Sequence, residues 1–300
     1  IGKKMTVCQL YAKQIRHRGN VRYNTKNGRK RLMKLLEEDK LGGCPIDSVK
    51  LSDAKEWAIR MKEKGISYKT ISNDKRSLKA AFYTAIQDDC IRKNPFDFQL
   101  NTVIEDDTEP KVPLTPAQEE SFLSFAQNDK VYQKYYDELI ILLGTGLRIS
   151  ELCGLTDTDI NFENRIINVD HQLLRSAETG YYIETPKTKS GIRQIPMSEK
   201  VYEAFNRVLK RRRGAKAVTI DGYSNFLFLN RDGYPKTATN YDGMFRGLAK
   251  KYNKYHEEAL PKVMTPHTLR HTFCTNMANA GMNPKALQYI MGHSNITMTL

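Results

Sequence analysis

The sequence predicts a mostly α-helical protein of two domains, with a small antiparallel β-sheet confined to the C-terminal one. Three observations predict this. Apolar residues recur at helical spacing through the first hundred residues and again from Thr239 to Leu300. Short β-branched and aromatic runs, separated by turn residues, cluster between Arg165 and Pro196. Between Asn94 and Pro116 lie four prolines and the acidic cluster Glu105, Asp106, Asp107 and Glu109, with no period of either kind. Three hundred residues suffice for two ordinary domains. We place a helical domain at residues 1–100, a linker at 101–113 and a second domain at 114–300.

In chain order, helices are predicted over Thr6 to Ile15, Asn27 to Glu38, Ser52 to Lys64 and Ser67 to Asp88. Ser52 reads as the N-cap of the third, which stops at Gly65. The fourth places Ile71, Leu78, Phe82 and Ile86 on one face and frees Lys69, Lys75, Arg76 and Lys79 to face outward, where they are the expected DNA contacts. In the second domain Thr115 reads as an N-cap, with Pro116 at the first helical position and Gln118 and Glu119 close behind. One buried helix is predicted from there to about Leu143, broken by Gly144-Thr145-Gly146, then a turn or two from Ile149 to Leu155. Strands follow at Arg165 to Asp170, Tyr181 to Thr185 and Arg193 to Pro196. They read as a meander whose last two strands are joined by the polar turn Lys187 to Gly191. Helices resume at about Ser198.

The charge narrows the function. The net charge is +14, from 48 Lys/Arg against 34 Asp/Glu. Residues 1–105 hold 23 of the bases and 12 of the acids, which leaves 25 and 22 for residues 106–300. The N-terminal third is therefore +11 and the remainder +3, which points to a polyanionic partner, most simply nucleic acid. The basic residues are spread over several segments, unlike those of one membrane-surface helix. No apolar run approaches the length of a membrane span, and no signal peptide opens the chain. Cys8, Cys44, Cys90, Cys153 and Cys274 are odd in number and lack CxxC spacing, which argues for a reducing compartment. The opening at Ile1 and the ending at Leu300 within a helical stretch lead us to expect natural chain beyond both.

Four local patterns carry chemistry. In Gly144-Thr145-Gly146-Leu147-Arg148 the glycines permit a sharp turn, and Arg148 stands at a helix start, where free N–H groups favour an anion. Alone, this is a helix–helix turn with a surface arginine. In Pro266-His267-Thr268-Leu269-Arg270-His271, His267 and Arg270 share a helix face, and a guanidinium beside an imidazole suits a phosphate held while protons move. His267 and His271 also have zinc-helix spacing, but Thr268 stands where a metalloprotease needs Glu and no third ligand is evident, so no metal and no cofactor is expected. Of the two histidines, His271 better fits a core residue. In Gly292-His293-Ser294 a histidine follows a glycine at a helix end. In Lys187-Thr188-Lys189-Ser190-Gly191 a lysine at a hairpin tip can deliver a proton into a groove.

Taken together and in order, GTGLRISELCGL, TPKTKSGIRQIP, TPHTLRHTFCTNMANAG and IMGHSNITMT resemble the tyrosine recombinases, the phage-type site-specific integrases. The wording is most similar to integrases of conjugative transposons. The resemblance is strong from Leu114 to Leu300 and looser before it. It implies two domains clamped on double-stranded DNA, the first a core-binding domain and the second catalytic. It implies that Arg148 and Arg270 grip the scissile phosphate and that Lys189 is the general acid, with Lys187 a competitor. His267 would assist proton transfer and His293 would hydrogen-bond the phosphate. Glu151 would orient Arg148 or stay on the surface. The family's tyrosine nucleophile is expected about nine residues after His293, past Leu300. Tyr289 precedes His293 and reads as core packing.

The implied activity is integration and excision of a mobile element at attachment sites through a 3′-phosphotyrosine, by a homo-tetramer with an accessory DNA-bending or excision factor. The implied setting is the cytoplasm of a bacterium, away from membrane. A type IB topoisomerase and a non-catalytic DNA-binding regulator are the alternatives weighed.

Overall fold

The computed structural model describes residues 4–19, 21–186, 189–212, 214 and 217–299. They fall into two compact units, divided after Pro110.

The first unit is built on four helices, α1 (Val7–His17), α2 (Tyr23–Glu37), α3 (Leu51–Glu63) and α4 (Tyr68–Gln87). Local chemistry sets their ends. The Thr6 hydroxyl accepts from the Gln9 backbone N–H while Gln9 Oε1 accepts from the Thr6 N–H, a capping box that starts α1. Ser67 caps α4. Two predicted starts are corrected. α2 begins at Tyr23, since its solvent-facing first turn has no apolar period to announce it. α3 is capped at Lys50, whose N–H donates to Asp53 at 2.8 Å, and Ser52 lies inside the first turn. Ile71, Leu78 and Phe82 are fully buried as the pattern predicts, with Ala81 and Ala85, whereas Ile86 is only partly covered. Phe96 lies edge-on to Trp57 (5.7 Å) and 5.3 Å from Phe82. Phe96, Leu100 and Ile104 thus carry the unit's core past the last helix.

The second unit starts with α5 (Pro116–Asn128) under the Thr115–Gln118 capping box. The single helix expected to Leu143 is in fact two. The Asp129 carboxylate accepts from the N–H groups of Val131 and Tyr132, which turns the chain before α6 (Tyr136–Thr145). α6 is buried almost throughout. After Gly146 comes α7 (Ile149–Gly154), and beyond the sheets follow α8 (Glu199–Arg212), α9 (Ala238–Tyr255), α10 (Pro266–Asn279) and α11 (Pro284–Met291). Leu142, Leu152, Ile167, Ile195, Phe205, Phe245 and Leu269 meet in one core.

The strands correct the predicted meander. β1 (Ile160–Asn161), β2 (Ile166–Val169) and β5 (Arg193–Pro196) form one antiparallel sheet in the order β1-β2-β5, with Ile167 opposite Ile195. β3 (Gln172–Ser176) and β4 (Gly180–Glu184) form a separate hairpin, of which the predicted strand Tyr181 to Thr185 anticipates β4 but neither β3 nor the pairing. Its signal was there: Tyr-Tyr-Ile after a Gly that adopts φ +71° at the turn. β5 alternates buried and exposed residues and pairs with β2, which alternates half-buried and buried ones, whereas every β4 residue is half-buried and offers no inward stripe. β4 and β5 are therefore not the two arms of one hairpin, and the described turn Lys189–Gly191 leads into β5.

Candidate active site

Arg148 owes its position to a left-handed glycine. Gly146 ends α6 at φ +63°, and a Cβ there would meet Phe273 Cδ1 at 2.4 Å. Only glycine permits that turn, and the chain re-enters helix two residues on with Arg148 as the N-cap of α7. Glu151, far from a surface residue, is buried and fixes Arg148 twice. It accepts from the Arg148 N–H at 2.8 Å through Oε2 and from Nη1 at 2.8 Å through Oε1. Arg148 Nη2 donates to the Gly292 carbonyl at 3.1 Å. The guanidinium remains about one-third exposed, so it keeps donors for an incoming anion.

Arg270 comes from the first turns of α10, which is started by Thr265 and Pro266 and tied to Leu114, whose N–H donates to Thr272 Oγ1 at 2.9 Å. Its guanidinium donates to the carbonyls of Gly146 and Met291 and to His293 Nε2, the last at 3.1 Å. Burial, and then the positive charge of Arg148, lowers its pKa to about 9, which leaves it charged at neutral pH.

His293 leaves α11 through Gly292, which sits at φ +60°. Nε2 accepts from Arg270 and Nδ1 meets Thr299 Oγ1 at 3.0 Å. Nδ1–H is then the tautomer, and the Nε2 lone pair that faces Arg270 has no proton to give a phosphate in this arrangement. Burial, followed by the charges of Arg270, Arg148 and Arg193, lowers its pKa to about 4, so the ring is neutral at pH 7. His267, at the start of α10, is on the exposed side. Partial burial and then the charges of Lys111, Arg270 and Arg148 also hold it below the usual histidine value.

Four of the five expected residues therefore share one electrostatic environment. The fifth, Lys189, is exposed and opens a single helical turn, Lys189–Gly191. The Ser190 carbonyl packs against Gly292. Lys187 lies outside the described residues. His271 is exposed, since it follows Arg270 off the buried face that carries Leu269, Thr272 and Phe273, and so is no core residue. Tyr289 is also not core: it falls opposite the buried stripe of Leu287, Ile290 and Met291, is half-exposed, and its hydroxyl accepts from the Gln194 N–H at 3.0 Å.

In the first unit the four expected DNA contacts separate into two pairs. Lys69 and Arg76 are exposed. Lys75 and Lys79 do not stand free: Lys75 lies over the Phe98 ring at 4.5 Å, and Lys79 pairs with Asp97 at 2.5 Å. The chain after Phe96 covers that side of α4, which helix periodicity alone does not reveal.

Asp159, Asp170 and His171, unremarked in the sequence, also come together. His171 Nδ1 meets Asp170 at 2.6 Å and Nε2 meets the Gly154 carbonyl at 2.7 Å. Both ring nitrogens are engaged within the chain, and the group fastens the end of α7 to the start of β3.

Comparison with known proteins identifies the family. Residues 113–300 match the phage integrase family. The chain belongs to this family of tyrosine recombinases. It is 68% identical over 300 residues to a transposase from transposon Tn916 of Enterococcus faecalis, covering all of this chain and 74% of that one. Tyrosine recombinase XerA of Pyrococcus furiosus is 30% identical over 277 residues, covering 89% of this chain and 78% of the relative. Among solved structures, the Tn1549 transposon integrase in complex with a circular intermediate DNA superposes with a TM-score of 0.96 at 78% identity, covering 99% of this chain and 94% of that one. A lambda integrase dimer bound to a core site, at 16% identity and TM-score 0.65, shares the fold. The matched region holds all of the converging Arg and His residues.

Proposed function

We propose that this tyrosine recombinase is a transposon integrase that cleaves and rejoins double-stranded DNA through a 3′-phosphotyrosine, to excise and integrate its element. The observation that carries the site reading is that Arg148 and Arg270 are both fixed by hydrogen bonds within the chain, to Glu151 and Gly292 and to Gly146 and Met291. As phosphorus becomes five-coordinate, charge grows on its non-bridging oxygens. Donors already in place stabilise that state without reorganising.

In this reading Arg148, the more exposed, and Arg270, the more buried, take the two non-bridging oxygens. His267, kept neutral at pH 7, accepts or relays the proton of the family's tyrosine nucleophile. Lys189, or Lys187, protonates the 5′-oxygen that leaves. His293 orients Arg270, and becomes a phosphate donor only if DNA reverses its tautomer. The N-terminal unit grips the duplex, with Lys69 and Arg76 the free cations of α4. The Tn1549 integrase complexes, formed with transposon right end DNA and with circular intermediate DNA, support DNA of that kind as partner. A homo-tetramer, an accessory factor and a cytoplasmic setting complete the proposal. Among the described residues no helix is long and apolar enough to cross a membrane.

The test is a nicked suicide duplex carrying the transposon end, incubated with the natural full-length protein. We expect a covalent protein–DNA adduct, and a fall of about 10²–10³-fold in its rate for Arg148→Ala or Arg270→Ala. No adduct, or an Arg148→Ala variant as fast as the parent, refutes the reading.

A further inference from the structure

Arg193 is outside the set that the motifs single out, and its side chain is fully buried, at 0% exposure. Each of its hydrogen bonds reaches something that holds a site residue. Nη2 donates to Glu151 Oε2 at 2.8 Å and Nη1 to Glu151 Oε1 at 3.0 Å, a two-pronged grip on the carboxylate that also fixes Arg148. Nη1 also lies 3.3 Å from the Gly191 carbonyl, at the end of the Lys189 turn. Nε donates to the Ile290 carbonyl at 2.5 Å, two residues before the glycine from which His293 departs. A Cβ on Gly292 would stand 3.1 Å from Arg193 Nη1 and 3.2 Å from the Ser190 carbonyl, so turn, arginine and bend are in direct contact.

The charges explain why an arginine stands here. Glu151 shared by two guanidiniums gives a group of net charge +1. Glu151 held by Arg148 alone would cancel the charge of the one guanidinium that faces solvent. Arg193, at 0% exposure against 32% for Arg148, cannot itself meet DNA, so its charge acts through the carboxylate. Burial would raise the Glu151 carboxyl, but the Arg193 bonds and charge, with Arg148, bring it down to about 2, so it stays ionised wherever the enzyme works.

We propose that Arg193 is a positioning residue for strand cleavage: it offsets Glu151 so that Arg148 presents its charge to the phosphate, and it joins the Lys189 turn and the His293 bend to that same carboxylate. The inference rests on the reading of this site as the cleavage centre.

It is tested in the natural full-length protein, by adduct formation on the nicked transposon-end duplex and by thermal melting. The variants are Arg193→Met, Arg193→Lys, Glu151→Gln, and each Arg193 change combined with Glu151→Gln. Arg193→Met leaves the carboxylate to Arg148 and slows the adduct about 100-fold, the scale of a misplaced catalytic group. Arg193→Lys keeps the charge, loses the fork and slows it about 10-fold. Glu151→Gln removes the carboxylate that Met leaves uncompensated and that a lysine, without the fork, offsets only in part; in either background it restores about 10-fold or the whole loss, whichever is smaller, a coupling read as a double-mutant cycle. If Arg193→Met does not melt cooperatively, the Lys pair alone decides. A loss that Glu151→Gln leaves unrelieved, or no loss on replacing Arg193, overturns the inference. A parent protein that forms no adduct at all overturns instead the reading of the site.

Discussion

Of the site's acid-range groups Glu151 and His293 shift most, and the signs follow from the arginines around them and, for His293, first from burial. Glu151 has a folded pKa of about 2 against an ordinary 4.5. The unfolded chain binds the proton more readily, so its contribution, on the order of 3 kcal/mol, is complete above pH 4.5 and is lost as pH falls toward 2. His293 has a folded pKa of about 4 against 6.5. Its proton too is bound more readily by the unfolded chain, so stability also falls as pH drops from 6.5 toward 4. We expect denaturant-midpoint measurements to show a decline beginning near pH 6.5 and continuing below 4.5. His293→Asn would remove most of the upper part, leaving the share of His267, and Glu151→Gln would remove the lower. A flat profile down to pH 3 would contradict both assignments.

At the scale of elements, two glycines carry the geometry. Gly146 lets α6 end in a left-handed turn against Phe273, and Gly292 does the same for α11 against Arg193. A side chain at either position meets backbone strain of about 1 kcal/mol as well as a steric clash. The 2.4 Å approach at Gly146 involves a buried ring, so we expect Gly146→Ala to lower the melting temperature more than Gly292→Ala. Gly292→Ala should still slow adduct formation, because it pushes on Arg193 and the Lys189 turn. Both turns were legible in the sequence as glycine breaks beside Arg and His. The pairing of β5 with β2 was not, because it depends on which faces are buried, and Arg193 reads as an ordinary polar residue of a short strand. The break at Asp129, in the polar run Gln127-Asn128-Asp129-Lys130, was likewise missed, since a single side chain made the turn.

For the whole molecule the uneven charge sets the expectation. The first 105 residues carry +11 of the +14, and binding to phosphates releases counterions, so log affinity for duplex should fall linearly with log salt. Charge reversal at Lys69 and Arg76 should lower the slope by about one for each phosphate no longer neutralised, and reversal at Lys79, already paired with Asp97, by less. Equal effects at all three would mean that the Asp97 pair opens on DNA. Composition and motif order thus pointed to two units, to a nucleic-acid partner and to the Arg and His residues that the fold brings together. Which lysines are free, and that Glu151 is buried between two arginines, required the packing. The central claim is that Arg148 and Arg270 meet one phosphate, and the most direct measurement replaces that phosphate with a neutral methylphosphonate in the suicide duplex. We predict that Arg148→Ala and Arg270→Ala lose about 10²–10³-fold on the charged phosphate and far less on the neutral one, which has less charge to hold. Equal losses on the two substrates would contradict it.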